Sequence, residues 1–297
     1  GHYNTDLIDE NGSWLTQTDR YNSSSDVSCT ASQMPRLVGL AMASKLYRSE
    51  KSFDNPKFSI NGNEVAWGTI GNASTSEGLF FESFNAAGVH QIPMVISVWD
   101  DEYGISVDNS FQTVKESISE ALAGFKRNKS KDGFEIFSVK GWDYPNLIHT
   151  FQKSGEIART NHVPVLIHVT ELTQPQGHST SGSHERYKSD NRLKWEKEND
   201  CNLKFRSWII DNNIATEAEL EAIETSSKQE AKKAKENAWE ASLEPIRNEA
   251  KQLTNCLSDA ADEGLIKEAQ RLLKDKSNKK KKIASFARKS LRVLRKH

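Results

Sequence analysis

Four short apolar runs set the limits on what this chain can fold into. Glu64–Gly71 (EVAWGTIG), Ile92–Val98 (IPMVISV), Phe134–Val139 and Val163–Thr170 (VPVLIHVT) show little polar alternation, and stretches with helical periodicity separate them. Strands without a polar face are buried on both sides, and strands that alternate with helices pair in parallel. The helices are read as Met34–Arg48, with a proline near its start, Ser76–His90, Phe111–Phe125 and Tyr144–Thr160. Residues 1–33 are rich in Asn, Ser, Thr and Asp and read as loop. The expected fold class is therefore α/β, a parallel sheet flanked by helices.

After Asp190 the strand signals stop and the chain becomes rich in Glu, Lys and Ala with helical periodicity. This divides it into an α/β domain over residues 1–190 and a helical extension over 191–297. Thr216, with Glu219 three residues on, reads as a helix start, and Ser277–Lys282 (SNKKKK) as a linker. The net charge of −1 conceals a basic tail: residues 274–297 hold eleven Lys or Arg against one acid, Asp275. Such a tail can bind nucleic acid or a membrane surface. It is read here as a solvated helix or linker, because only Phe286 is interleaved as a stacking residue. No apolar stretch of about 18 residues exists, so no spanning helix is expected. Cys29, Cys201 and Cys256 lie far apart and are odd in number. That argues against a disulfide framework or a zinc site, and for a cytoplasmic protein.

In parallel sheets, ligands bind beyond the carboxyl ends of the strands. Three segments occupy that position. Gly71-Asn72-Ala73-Ser74-Thr75-Ser76-Glu77-Gly78 runs from strand to helix, with small residues that allow close approach of a phosphate to a helix amino end. The same residues also fit a simple capping box, Ser74 with Glu77. Asp100-Asp101-Glu102-Tyr103-Gly104 follows the next strand and is either a cation site or an acidic surface turn. Residues 172–188 form a long polar loop in which His178 could meet a phosphate or a reacting group; a plain surface loop is the competing reading.

Taken together, the three segments from about His2 to Asp190 resemble the α part of the thiamin-diphosphate-dependent decarboxylating component of branched-chain and related 2-oxo acid dehydrogenases. Gly71-Asn72-Ala73, Ser76-Glu77-Gly78, Asn85-Ala86-Ala87 and Asp100-Asp101-Glu102-Tyr103-Gly104-Ile105-Ser106 fall in the family's register. So does Ser28-Cys29-Thr30-Ala31-Ser32-Gln33-Met34-Pro35, and Gly177-His178-Ser179-Thr180-Ser181 is similar to the family's flexible loop. The resemblance implies a thiamin-diphosphate-binding fold, with cofactor contacts from Ser28, Thr30, Asn72, Ala73, Ser74, Asp101, Tyr103, Ile105 and His178. It places magnesium on Asn72, Asp101 and the Tyr103 carbonyl. A monovalent cation, K+ in some members, would lie near the Ser/Thr-Gln pair. His178 would act at the diphosphate and the incoming lipoyl group. Two positions depart from the pattern: Asn72 stands where the family has an acid, and Asp101 where it has Asn. The exchange preserves one carboxylate and one neutral oxygen, which magnesium tolerates.

The implied activity is oxidative decarboxylation of a branched-chain 2-oxo acid with acyl transfer to lipoamide. It requires a β part, fused or separate, that supplies the acid-base glutamate, and a lipoyl-bearing acyltransferase. No nucleic-acid or membrane partner is implied. Pyruvate or acetoin as substrate is the nearest rival, and a non-catalytic assembly module is the rival from another class. His168, inside an apolar strand, is read as a satisfied core histidine. His90 and His162 end helices, where imidazolium suits the dipole. Trp67, Phe80 and Phe81 are read as core, and Asp143 as a helix cap.

Overall fold

The computed structural model describes residues 4–24, 29–128, 132–178, 184–258, 262–274 and 280–295. The chain divides into two compact units, Gly1–Asn212 and Asn213–His297. The first contains the strands β1 (Ala66–Gly71), β2 (Met94–Trp99), β3 (Tyr103–Gly104), β4 (Val107–Asp108), β5 (Glu135–Lys140) and β6 (Val165–Thr170). Four of these form one parallel sheet in the order β1-β2-β6-β5, and β3 pairs antiparallel with β4. The central strands are the two most apolar: every residue from Met94 to Val98 and from Val165 to Val169 is buried. The edge strands β1 and β5 carry exposed positions along their length, whereas in β2 only the terminal Trp99 is exposed.

Helices cover both faces, as the unbroken apolar strands require. Helices α1 (Met34–Ser49) and α2 (Gly78–His90) bring Met34, Leu37, Phe80 and Phe84 onto Ile96, Val98 and Leu166. The short helix α3 (Ile118–Ala121) adds Ile118 to this core. Helix α4 (Tyr144–Asn161) covers the opposite face, with Ala158 and Phe151 against Val95, Val165 and Ile167. Residue 95 thus points one way and residues 94 and 96 the other, the period of two that a pleated strand imposes. Proline in the first turn starts both α1 and α4, and the Asp143 side chain caps α4 by accepting from the Asn146 amide at 3.3 Å.

Several expectations are corrected. The segment 111–125 is not one helix: it breaks into a turn at Val114–Glu116, α3 and a second turn at Ala123–Phe125. Lys115 and Glu116 adopt left-handed φ values of 66° and 54°, and the Asn109 side-chain amide takes the Glu116 carbonyl at 2.6 Å. Of the aromatic residues read as core, Phe80 is buried but Trp67 and Phe81 are 44% and 42% exposed. Trp67 lies on the edge strand, stacked on Phe151. Helices α5 (Asp190–Glu198) and α6 (Cys201–Asp211) fall within the first unit.

The described residues of the second unit form the helices α7 (Glu217–Leu257), α8 (Glu263–Lys274) and α9 (Lys280–Leu294), with short turns beside them. The capping box at Thr216 and Glu219 is formed, and Leu257, Leu265, Ala269 and Phe286 make a small core. Of the expected linker, residues 277–279 lie outside the described residues and Lys280–Lys282 begin α9. Among the described residues no helix is long and apolar enough to cross a membrane.

Candidate functional site

The carboxyl ends of β1, β2 and β6 bring the three singled-out segments together. The Asn72 backbone N–H donates to the Trp99 carbonyl at 3.0 Å, which fixes the first segment to the second. Gly104 lies so close to Ala73 that a Cβ there would sit 2.6 Å from the Ala73 Cβ and 2.4 Å from the Gln112 Oε1. The Ser76 hydroxyl donates to the Gln112 carbonyl at 3.1 Å. The third segment joins through backbone bonds from Asp100 N–H to the Val169 carbonyl at 2.9 Å and from Leu172 N–H to the Asp100 carbonyl at 3.1 Å.

Residues 73–76 form a 3-10 turn that leads into α2, and the Thr75 hydroxyl donates to the Asn72 carbonyl at 2.6 Å. The capping-box alternative is not realised, since α2 begins without a side-chain cap and the Glu77 backbone N–H goes to the Ser74 carbonyl. Asn72 is 4% exposed, and its Nδ2 has no hydrogen-bond partner. Amide oxygen and nitrogen are exchanged by a half-turn of the side chain, so an oxygen can occupy the same position. A buried polar atom of this kind calls for a partner, whether an ordered water, a ligand or an ion.

Asp101 is 8% exposed, and its Oδ1 accepts the Tyr103 backbone N–H at 3.3 Å. Burial pushes its carboxyl above the ordinary range and neighbouring Asp100 adds to the effect; the Tyr103 N–H and the Lys188 ammonium oppose it. A carboxylate held this way gains from a nearby cation. The two acids are not equivalent. Asp100 turns inward, where Oδ2 meets the His168 Nε2 at 2.8 Å and Oδ1 accepts the Glu102 N–H at 2.7 Å. Among the described residues no group of three or more His, Cys, Asp or Glu side chains could hold a metal alone. An ion at Asp101 and Asn72 would take its remaining oxygens from a ligand, as magnesium does on a diphosphate. The residues present fit that group.

Tyr103 is half-buried, and its ring packs 5.6 Å from that of Tyr187. The Tyr187 hydroxyl lies against Gly177, where an added Cβ would sit 3.1 Å from it. His178 follows Gly177 in the chain and is exposed. Of the remaining expected residues, Ala73 and Ser74 lie in the 3-10 turn and Ile105 is 61% exposed with φ 59°. Thr30 is exposed in the turn before α1, and none of these bonds reaches it. Ser28 and Ser179 lie outside the described residues.

A buried ionic cluster beside the site escaped the sequence reading. Lys188 Nζ donates to both Glu196 carboxylate oxygens, at 2.7 and 2.9 Å, and Arg192 Nε donates to Oε1 at 2.9 Å. Lys188 is 5% and Glu196 1% exposed. Arg192 also pairs with Glu102, and both cations lie over the Tyr103 ring, at 5.1 and 5.6 Å. The signal was a charge every fourth residue, at 188, 192 and 196. His162 departs from its expected role: burial is the largest influence and lowers its pKa, and Nε2 meets the Gly62 carbonyl at 2.8 Å.

The family model described as dehydrogenase E1 component matches residues 16–246, so the likeness extends into α7. The α subunit of the pyruvate dehydrogenase E1 component from Rickettsia bellii is 27% identical over 205 residues, 69% of this chain and 56% of that protein. The Rickettsia felis protein of the same name is 28% identical over 68% of this chain and 55% of its own length. The 2-oxoisovalerate dehydrogenase subunit alpha of Bacillus subtilis is 24% identical over 72% and 61%. The chain spans a little more than half the length of these relatives. The dehydrogenase E1 family is thiamin-diphosphate-dependent, and this chain belongs to it.

Proposed function

We propose that this chain forms the diphosphate and magnesium side of a 2-oxo acid dehydrogenase site that a β part completes. The observation that carries the reading is the convergence of Asn72, Asp101 and Tyr103 at one end of a parallel sheet in a chain of this family. Asp101 and Asn72 would hold the ion through carboxylate and amide, with the Tyr103 carbonyl. The turn at Ala73 and Ser74, with the amino end of α2 behind it, would receive the diphosphate oxygens. Thr30 and Ser28 would face the other end of the cofactor, with a monovalent cation nearby, and Ile105 would add a backbone contact. His178 would close over the diphosphate and meet the lipoyl group. When bound, thiamin diphosphate supplies the electron sink for loss of carbon dioxide. This chain's residues bind and orient it; the acid-base glutamate belongs to the β part, and a lipoyl-bearing acyltransferase takes the acyl group.

The substrate is a 2-oxo acid, with pyruvate and branched-chain 2-oxoisovalerate both represented among the relatives' names. Three free cysteines suit a reducing, cytoplasmic compartment. The test is calorimetric titration of thiamin diphosphate into the chain with magnesium, alone and with a β subunit from the same organism. Magnesium-dependent binding that tightens with the β subunit supports the split site. No heat under either condition, with the β subunit shown to associate, overturns it in favour of an assembly role. Turnover of pyruvate against 2-oxoisovalerate by the reconstituted pair then fixes the substrate.

A further inference from the structure

The buried histidine of β6 has two partners, and together they form a chain of polar contacts. His168 Nδ1 meets the Ser119 hydroxyl at 2.8 Å and Nε2 meets the Asp100 Oδ2 at 2.8 Å. His168 is 2% and Asp100 4% exposed. Ser119 is backed in turn by the Ser117 hydroxyl at 3.2 Å. The imidazole is therefore fixed at both nitrogens, between α3 and the end of β2.

The Asp100 carboxylate does a second thing. Its other oxygen accepts the Glu102 N–H at 2.7 Å, and Glu102 has φ 69°. A non-glycine residue in the left-handed region is strained and persists only where its surroundings over-determine it. The residues of this turn, Asp101 and Tyr103, are the ones that face the candidate ligand. Two adjacent buried carboxylates also repel each other, and the one held by an imidazole is withdrawn from the site.

We infer that His168 is a positioning residue: by holding Asp100 it fixes the left-handed turn at Glu102 and leaves Asp101 alone of the pair to face a ligand. The inference rests on the reading of Asp101 as part of the cofactor site. Ser119 sets the ring orientation, so that Nε2 and not Nδ1 meets the carboxylate. The role differs from generic core packing, because the effect of losing His168 depends on the charge of Asp100.

The test uses the full chain with His168→Leu, His168→Gln, Asp100→Asn and the double variant His168→Leu/Asp100→Asn. Two readouts are taken on folded protein: amide exchange at Glu102 and Tyr103, and calorimetric affinity for thiamin diphosphate with magnesium. His168→Leu is expected to speed exchange at both amides and to weaken binding by about tenfold or more, the range found when groups behind a metal ligand are removed. Asp100→Asn removes the charge that needs the imidazole, so the double variant should recover most of the affinity. If His168→Leu does not fold, His168→Gln, whose amide can still reach Asp100, carries the test with a smaller effect. Unchanged exchange and affinity in the folded variant overturn the inference. So does an equal loss in the single and double variants, which is the mark of simple packing. If the wild-type chain binds no cofactor, the reading of the site fails, and the exchange rates alone decide whether His168 holds the turn.

Discussion

Arg192 donates from Nη2 to the backbone carbonyl of Asp101 at 2.9 Å, so the first turns of α5 are tied directly to the turn that follows β2. The same guanidinium donates through Nε to Glu196 and stacks 4.8 Å from the Trp195 ring. The start of what the sequence marks as a helical extension is therefore part of the wall of the candidate site. Removing one partner of a buried ionic group leaves uncompensated charge, whereas replacing a whole group by apolar residues costs far less.

Glu196→Ala should accordingly lower unfolding free energy by about 3–5 kcal/mol, because Lys188 and Arg192 both lose their buried anion. Lys188→Met/Glu196→Leu should lose clearly less than the single variant. Urea unfolding of the first unit, followed by amide exchange along α5, reads both. A single variant as stable as the wild type would show that solvent already reaches the cluster.

The contact of Gly104 with Ala73 sets a second expectation. A methyl at residue 104 would have to displace Ala73 or the Gln112 side chain from 2.6 and 2.4 Å. Gly104→Ala should cost about 1–3 kcal/mol by overpacking and separate the Asn72 and Asp101 turns. Magnesium-dependent binding of thiamin diphosphate should fall with it. Gly124→Ala, at a glycine where a Cβ meets nothing within 4 Å, is the control and should leave binding unchanged.

The four strands of the main sheet were legible because the parallel strands are buried on both faces, and each begins within two residues of its expected place. Helix starts carried by Pro35, Pro145, Asp143 and Thr216 were equally plain, since those signals are local. The segment after Phe111 was not legible: Lys115 and Glu116 take left-handed φ with neither glycine nor proline to announce it. The segments holding Asn72, Asp101 and Tyr103 could be picked out by their place after apolar runs, and the three residues themselves only by the family resemblance. The partners of Asp100 could not. His168 lies 68 residues away, and only the pairing of β2 with β6, Val98 opposite His168, brings it there. His162 was misread because helix-end position suggests charge while burial, invisible in sequence, opposes it.

That burial has a consequence for pH. The folded pKa of His162 is depressed below its ordinary value of 6.5, chiefly by desolvation, so the folded chain prefers the neutral ring. The contribution to stability is present above about pH 6.5 and is lost as pH falls through the folded pKa, because the unfolded chain takes up the proton first. His162→Asn keeps a residue that tolerates the left-handed C-cap, φ 52°, without a proton to gain. It should lower stability at pH 8, where the bond to Gly62 is lost, and flatten the decline below pH 6.5. Melting temperatures from pH 8 to 5 measure both, and an unchanged slope in the variant would assign the decline to another group.

The exchange of acid and amide between residues 72 and 101 can be tested by reversing it. Asp101→Asn leaves two amides and no carboxylate for the ion, so magnesium-dependent binding should weaken about tenfold or more. Asn72→Asp alone puts a second carboxylate beside one already pushed upward by burial, so it should lower the melting temperature of the ligand-free chain. The double variant Asn72→Asp/Asp101→Asn restores one of each and should return affinity to within about tenfold of the wild type. The effects of the two substitutions are then far from additive, which is how two residues sharing one ion behave. Calorimetry with thiamin diphosphate and magnesium on all four proteins closes the cycle. Additive losses would mean that residues 72 and 101 do not share an ion, and the magnesium site would have to be sought elsewhere on this end of the sheet.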